Sequence, residues 1–170
     1  MAKIDIIRNT YGGLKYLQNA LNYVSDDRAL YRGGYGVDPY DPSMAYDQML
    51  YTRQYFNKVS GNPLVHIVVA YNDQVKDIGT AAMYGQKCAY YFANKFQVLY
   101  CTHAKDFHCG YYHTHIVINA VSYINGQMIT TGYDEMNAYC NYVARVTGQR
   151  CRFYFDNKAD YGRYWLTGEI

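Results

Sequence analysis

The run His113-Thr114-His115-Ile116-Val117-Ile118-Asn119 constrains this chain more than any other segment. It reads as a buried β-strand. Side chains alternate across a strand, so His113, His115, Val117 and Asn119 share one face, and Thr114, Ile116 and Ile118 take the other. Two imidazoles at that spacing can reach one metal ion. A third, His103, ends the apolar run Phe96–Cys101, which reads as a neighbouring strand. Three imidazoles on adjacent strands make a metal site with open coordination positions, and catalysis needs open positions. Neutral imidazoles bring no negative charge, so a bound ion keeps its full positive charge, available to polarise a phosphate. Mn²⁺ is the expected ion, with Zn²⁺, Co²⁺, Ni²⁺ and Mg²⁺ as alternatives, of which Mg²⁺ prefers oxygen to imidazole. The rival is a zinc site using Cys109, in the loop with His108, but no second cysteine lies at finger spacing.

At 170 residues the chain fits one domain with a sizeable core. The formal charge of +2 neither demands nor excludes a polyanionic partner, because a local patch can be far more basic than the whole. Five cysteines without a C-x-x-C pair argue against a disulfide framework and fit a reducing compartment. No signal-peptide pattern opens the chain, and no apolar run approaches the roughly 18 residues of a membrane span. A cytoplasmic protein without membrane insertion is the expectation. The 23 tyrosines suit wet interfaces and base stacking, although most fit ordinary half-buried positions.

Along the chain, Lys3–Asn9 alternates as a first strand. Gly12-Gly13 opens a helix to about Val24, with Leu14, Leu17, Leu21 and Val24 as one apolar stripe. Tyr16 and Tyr23 lie off that stripe, which points them to solvent or into a cleft. Ser25–Asp41 is turn-rich, with a short strand around Ala29–Arg32. Asp41 and Pro42 suit the N-cap and N1 of a second helix to about Asn57. Leu64–Tyr71 reads as a strand, about Thr80–Asn94 as a helix, Phe96–His103 as a strand and Tyr111–Ile124 as a long strand. Asn125-Gly126 then signals a hairpin returning into Gln127–Thr130. A fourth helix runs from about Asp134 to Val146, with Gly148 as its C-cap. The fold class is α/β (α+β), a central, largely antiparallel sheet with flanking helices. Residues 1–152 form the domain and 153–170 a less regular tail of the same domain.

Three segments together resemble the MobA/VirD2-type relaxases, the mobilisation nucleases within the HUH endonucleases. They are Leu21-Asn22-Tyr23-Val24-Ser25-Asp26, Val65-His66-Ile67-Val68-Val69-Ala70-Tyr71, and Thr102-His103 followed by His113–Val121 and Asn125-Gly126. The likeness runs from about residue 4 to residue 152, in order. It implies that Tyr23 is the nucleophile, that His103, His113 and His115 are the metal ligands, and that Asn119 supports the site. The family usually carries an acid two residues after the first histidine. Here that position is Lys105, so Asp106 is the candidate for the acid that orients a ligand.

The resemblance implies metal-dependent, site- and strand-specific nicking and religation of DNA through a 5′-phosphotyrosine, initiating transfer of a plasmid or transposon. The partners it implies are single-stranded or hairpin DNA at an origin of transfer, with accessory and coupling proteins, in a bacterial cytoplasm. Lys15, Arg28, Arg32, Tyr16 and His66 are the residues expected to face the DNA, His66 having the alternative of a hydrogen-bonded core histidine. Tyr31, Tyr35 and Tyr40 are candidates for stacking on bases. The alternatives are a rolling-circle initiator or HUH transposase, whose tyrosine usually follows the histidines, and a non-catalytic single-strand DNA-binding module.

Overall fold

Alternation along the strands divides the apolar residues between the two faces of one sheet. The computed structural model describes residues 1–7, 13–105 and 109–156. The order is β1 (Ala2–Ile7), α1 (Gly13–Val24), β2 (Ala29–Tyr35), α2 (Pro42–Tyr55), β3 (Leu64–Ala70), α3 (Ile78–Ala93), β4 (Val98–His103), β5 (His113–Asn119), α4 (Tyr133–Thr147) and β6 (Cys151–Asp156). The strands lie in the order β2-β4-β5-β3-β1-β6. Every neighbouring pair is antiparallel except β1 and β6, which run parallel. This is the expected α+β architecture, with a mixed sheet. No described helix is long and apolar enough to cross a membrane.

On one face, Ile4, Ile67, Val98, Ile116 and Ile118 pack with Cys88, Ala89 and Phe92 of α3 and with Tyr139 and Val143 of α4. On the other, Val68, Leu99, Cys101 and Val117 pack with Leu17, Leu21 and Val24 of α1 and with Ala45 and Met49 of α2. The alternation puts His66, His103, His113 and His115 on this second face, under α1.

The helix boundaries follow local chemistry. The Asp41 carboxylate accepts from the N–H groups of Ser43 and Met44, with Pro42 in the first turn. Asp77 caps α3 through Thr80 N–H. Gly148 takes the left-handed conformation that ends α4, φ +67°.

Four expectations need correction. The strand begun at His113 stops at Asn119, not Ile124. The Asn119 side-chain oxygen accepts from Val121 N–H at 3.3 Å, which bends the chain out of the ladder. The Asn125-Gly126 turn forms, but its arms share a single bridge, Val121 with Met128, and Gln127–Thr130 joins no sheet. β2 runs on through Gly33-Gly34 to Tyr35, paired with Tyr100, Leu99 and Val98 of β4, and Gly33 leaves the space that the Tyr100 ring fills. Residues 153–156, expected in the irregular tail, complete β6 against β1.

Behind the histidines α3 approaches the sheet closely. A Cβ on Gly85 would lie 2.5 Å from Thr114 Oγ1 and 2.7 Å from Thr102 Oγ1. Those two hydroxyls bond to each other at 2.9 Å, and Tyr71 Oη joins Thr114 at 2.8 Å. Gly85→Ala should therefore destabilise the fold by about 1–3 kcal/mol in urea denaturation, although alanine is the better helix former. Unchanged or higher stability would show that the contact relaxes freely.

Candidate metal centre and active site

The β4–β5 ladder sets the histidines. His103 pairs directly with His113, and Cys101 with His115. All three imidazoles are fully buried. Their ring centroids are 5.3 Å (His103–His113), 4.6 Å (His103–His115) and 5.1 Å (His113–His115) apart. One potential ligand atom from each lies within 4.8 Å of the others.

Hydrogen bonds orient the rings. His103 Nε2 donates to the Val24 carbonyl at 2.9 Å, and His113 Nδ1 donates to the Tyr111 carbonyl at 3.0 Å. A carbonyl only accepts, so the proton of each neutral ring sits on that nitrogen, and the lone pair belongs to His103 Nδ1 and His113 Nε2. His115 Nδ1 meets His66 Nε2 at 3.0 Å. Burial holds His103 down to about 4, His66 down to about 3 and His115 well below the usual histidine range. All three are neutral at pH 7, and neutral imidazole is the form that binds metal. His103 Nδ1 is buried without a hydrogen-bond partner. An unmet acceptor in the interior is unfavourable, and a cation held among the three rings would satisfy it. The donor set fits a divalent transition metal.

Helix α1 ends at this cluster. The Tyr23 ring meets His115 edge-on, with centroids 5.8 Å apart and planes at 87°. The Arg28 guanidinium lies 4.7 Å from the Tyr23 ring centroid. Asp26 holds Arg28 in a fork, accepting from Nε at 3.0 Å and from Nη2 at 2.7 Å. Asp26 also accepts from the Arg28 backbone N–H at 2.9 Å, so a tight turn after α1 builds the pair. Burial opposes the charge on Asp26, but the bonds from Arg28 outweigh it and hold the carboxyl below its usual range.

The "Relaxase: MobA/VirD2-like, nuclease domain" family model matches residues 16–149, a span holding Tyr23 and all three histidines. The chain belongs to this relaxase family. No curated protein and no solved structure gives a significant match. Membership implies a DNA endonuclease, and the relaxase's His103, His113 and His115 are positioned to bind a metal.

The relaxase fold brings Tyr23, the histidine triad, His66 and Arg28 together. Arg32 is half-buried beside them, its Nη2 on the Asp26 carbonyl at 3.3 Å. Lys15 is exposed on α1, about 12 Å of helix rise from Tyr23. Asp106 and His108 lie outside the described residues. Asn119 is not brought to the cluster. It sits six residues along β5 from His113, about 20 Å away, where its amide donates to Met49 O and Gln97 Oε1 at 3.1 and 2.9 Å. Tyr16 and His66 are interior residues, not parts of an outer DNA-facing surface. Tyr16, Ala20 and Tyr23 form a second buried row beside Leu17, Leu21 and Val24, because α1 packs against both α2 and the sheet. Sequence reasoning missed the His66–His115 contact. Its signal was the shared strand phase, with His66 diagonal to His115 across β3 and β5.

Two predictions follow from these placements. Asn119→Ala should lower stability by about 1–3 kcal/mol, read by denaturation, yet leave metal affinity by calorimetry unchanged. Lost metal affinity in a folded Asn119→Ala protein would return Asn119 to the site. The second concerns pH. Without metal, the unfolded chain takes up protons at its histidines near pH 6.5, whereas His103 resists to about 4 and His66 to about 3. The unfolded state binds more protons across that window, so stability falls as pH drops from about 6.5 towards 4, by about 1.4 kcal/mol per pH unit for each histidine kept neutral. Thermal melts of the metal-free protein should show this decline, and a level melting temperature across the window would contradict it.

Proposed function

We propose that this protein nicks and rejoins one strand of DNA at a specific site, using Tyr23 as the nucleophile, to initiate transfer of a plasmid or transposon. The observation that carries the reading is Tyr23 edge-on to His115, at the one cluster of described residues able to hold a metal ion. Family membership supplies the nuclease class.

A phenol is a weak nucleophile near neutral pH. Arg28 answers part of this need. Its guanidinium, clamped by Asp26, lies over the Tyr23 ring, where a fixed cation favours phenolate character. The same cation attracts the phosphate of an incoming strand. A divalent metal bound by His103, His113 and His115, with Mn²⁺ preferred, would supply positive charge to the non-bridging phosphate oxygens.

In the reaction, Tyr23 Oη forms a bond to phosphorus as its proton leaves, and the bond from phosphorus to the 3′-oxygen breaks. That oxygen takes up a proton and becomes a free 3′-hydroxyl. The 5′-phosphotyrosyl link keeps the phosphodiester energy, so the reverse attack rejoins the strand without a nucleotide cofactor. Val24 contributes indirectly, since its carbonyl holds His103 while its neighbour on the chain is the attacking residue. The substrate is single-stranded or hairpin DNA at an origin of transfer, met in a bacterial cytoplasm with accessory and coupling proteins.

The test uses single-stranded oligonucleotides tiled across the DNA flanking the gene, with Mn²⁺ or with EDTA, followed by mass spectrometry of the denatured products. The expected result is a DNA adduct on the Tyr23 peptide only with metal, lost in Tyr23→Phe while oligonucleotide binding persists. Binding without an adduct on any tile would replace this reading with a non-catalytic DNA-binding module. An adduct on another tyrosine would keep the enzyme and overturn the nucleophile.

A further inference from the structure

Two of the three converging imidazoles have their protons fixed by backbone carbonyls, and the third does not. His103 Nε2 faces Val24 O and His113 Nδ1 faces Tyr111 O, so each ring turns a lone pair to its other nitrogen. His115 Nδ1 instead meets a second imidazole, His66 Nε2, at 3.0 Å, and either nitrogen can be the donor. A contact of that length between two nitrogens holds one proton. With the proton on His66 Nε2, neutral His115 carries its own on Nε2, and that nitrogen cannot bind a cation. With the proton on His115 Nδ1, His115 Nε2 presents a lone pair and His66 carries its proton on Nδ1. His66 is fully buried, and its Nδ1 has no hydrogen-bond partner in either arrangement. Nothing on that side of the ring selects between them.

We propose that His66 is a positioning residue of the metal centre, a neutral acceptor for His115 Nδ1–H, and that cation binding itself selects the tautomer of the buried His66–His115 pair. Each arrangement carries two protons, one per ring, so the exchange is charge-neutral and releases none. A carboxylate in the place of His66 would accept the same proton but add negative charge beside the ion. An imidazole orients the ligand and leaves the charge of the ion undiminished. The inference rests on the triad holding a cation, not on the reaction the protein performs.

Calorimetry with Mn²⁺ alone tests it. His66→Leu removes the acceptor and should weaken Mn²⁺ binding by about 10–100-fold. His66→Gln, whose Oε1 can accept, should restore affinity to within about threefold of the wild type. Metal-free melting curves of both variants report whether they fold. Should the leucine variant fail to fold, the wild type still decides. Long-range ¹⁵N–¹H spectra of its Zn²⁺ form should show His66 protonated at Nδ1 and His115 at Nδ1. A proton on His66 Nε2 in that form overturns the proposal, as does Mn²⁺ affinity in His66→Leu equal to the wild type. Failure of a folded His66→Gln protein to restore binding overturns the acceptor role. A wild type that binds neither Mn²⁺ nor Zn²⁺ overturns the metal reading and this inference with it.

Discussion

The carbonyl of Val24 belongs to the last turn of α1, where backbone oxygens lack helical donors. His103 Nε2 supplies the donor, at 2.9 Å. This bond meets the unsatisfied end of the helix and fixes the proton of one imidazole. It also ties the residue after Tyr23 to the strand that carries a ligand histidine. The arrangement suits a cation, because the carbonyl end of a helix carries partial negative charge. Much of the site geometry hangs on this junction between α1 and β4.

A cluster of four buried histidines is an awkward thing to fold. Each ring brings two polar nitrogens into the interior, and only some of those nitrogens find partners. The cores on both faces of the sheet offset that penalty. β4 and β5 are interior strands, paired on both sides and covered by helices front and back. Their register is therefore tightly specified, and a slip of one residue would put the histidines on the α3 face. Rigid central strands suit a site whose ligand atoms must converge within a few ångströms.

The histidine triad was legible because strand alternation is a local rule. Given two adjacent strands, the phase of His103, His113 and His115 decides their common face. The caps at Asp41 and Gly148 were legible for the same reason, since a helix end is written in a few neighbouring residues. What escaped depended on partners far along the chain. Asn119 shares the face of the histidines, and only the position of α2 shows that its amide serves Met49 and Gln97. Tyr16 and Tyr23 fall outside the leucine stripe, and Tyr23 is covered by partners that the phase of α1 alone does not reveal, His115 of the sheet and Arg28 beyond the helix end. Gly33-Gly34 carries the local marks of a break, but β4, far along the chain, pairs with both glycines and the Tyr100 ring takes the space beside Gly33. His66 was readable as a residue of the correct face, but its contact with His115 required the order of the strands.

The pairing of β6 with β1 has a consequence for how the molecule is made. β1 lies between β3 and β6, so one of its two backbone edges stays open until Cys151–Asp156 has been synthesised. A ribosome-bound chain can assemble the β4–β5 hairpin and its histidines well before that point. Meanwhile Ile4 and Ile6 sit on a strand with unmet amide and carbonyl groups, available to pair with any other extended chain nearby. Closure of the sheet, and protection from such pairing, waits for β6 to emerge.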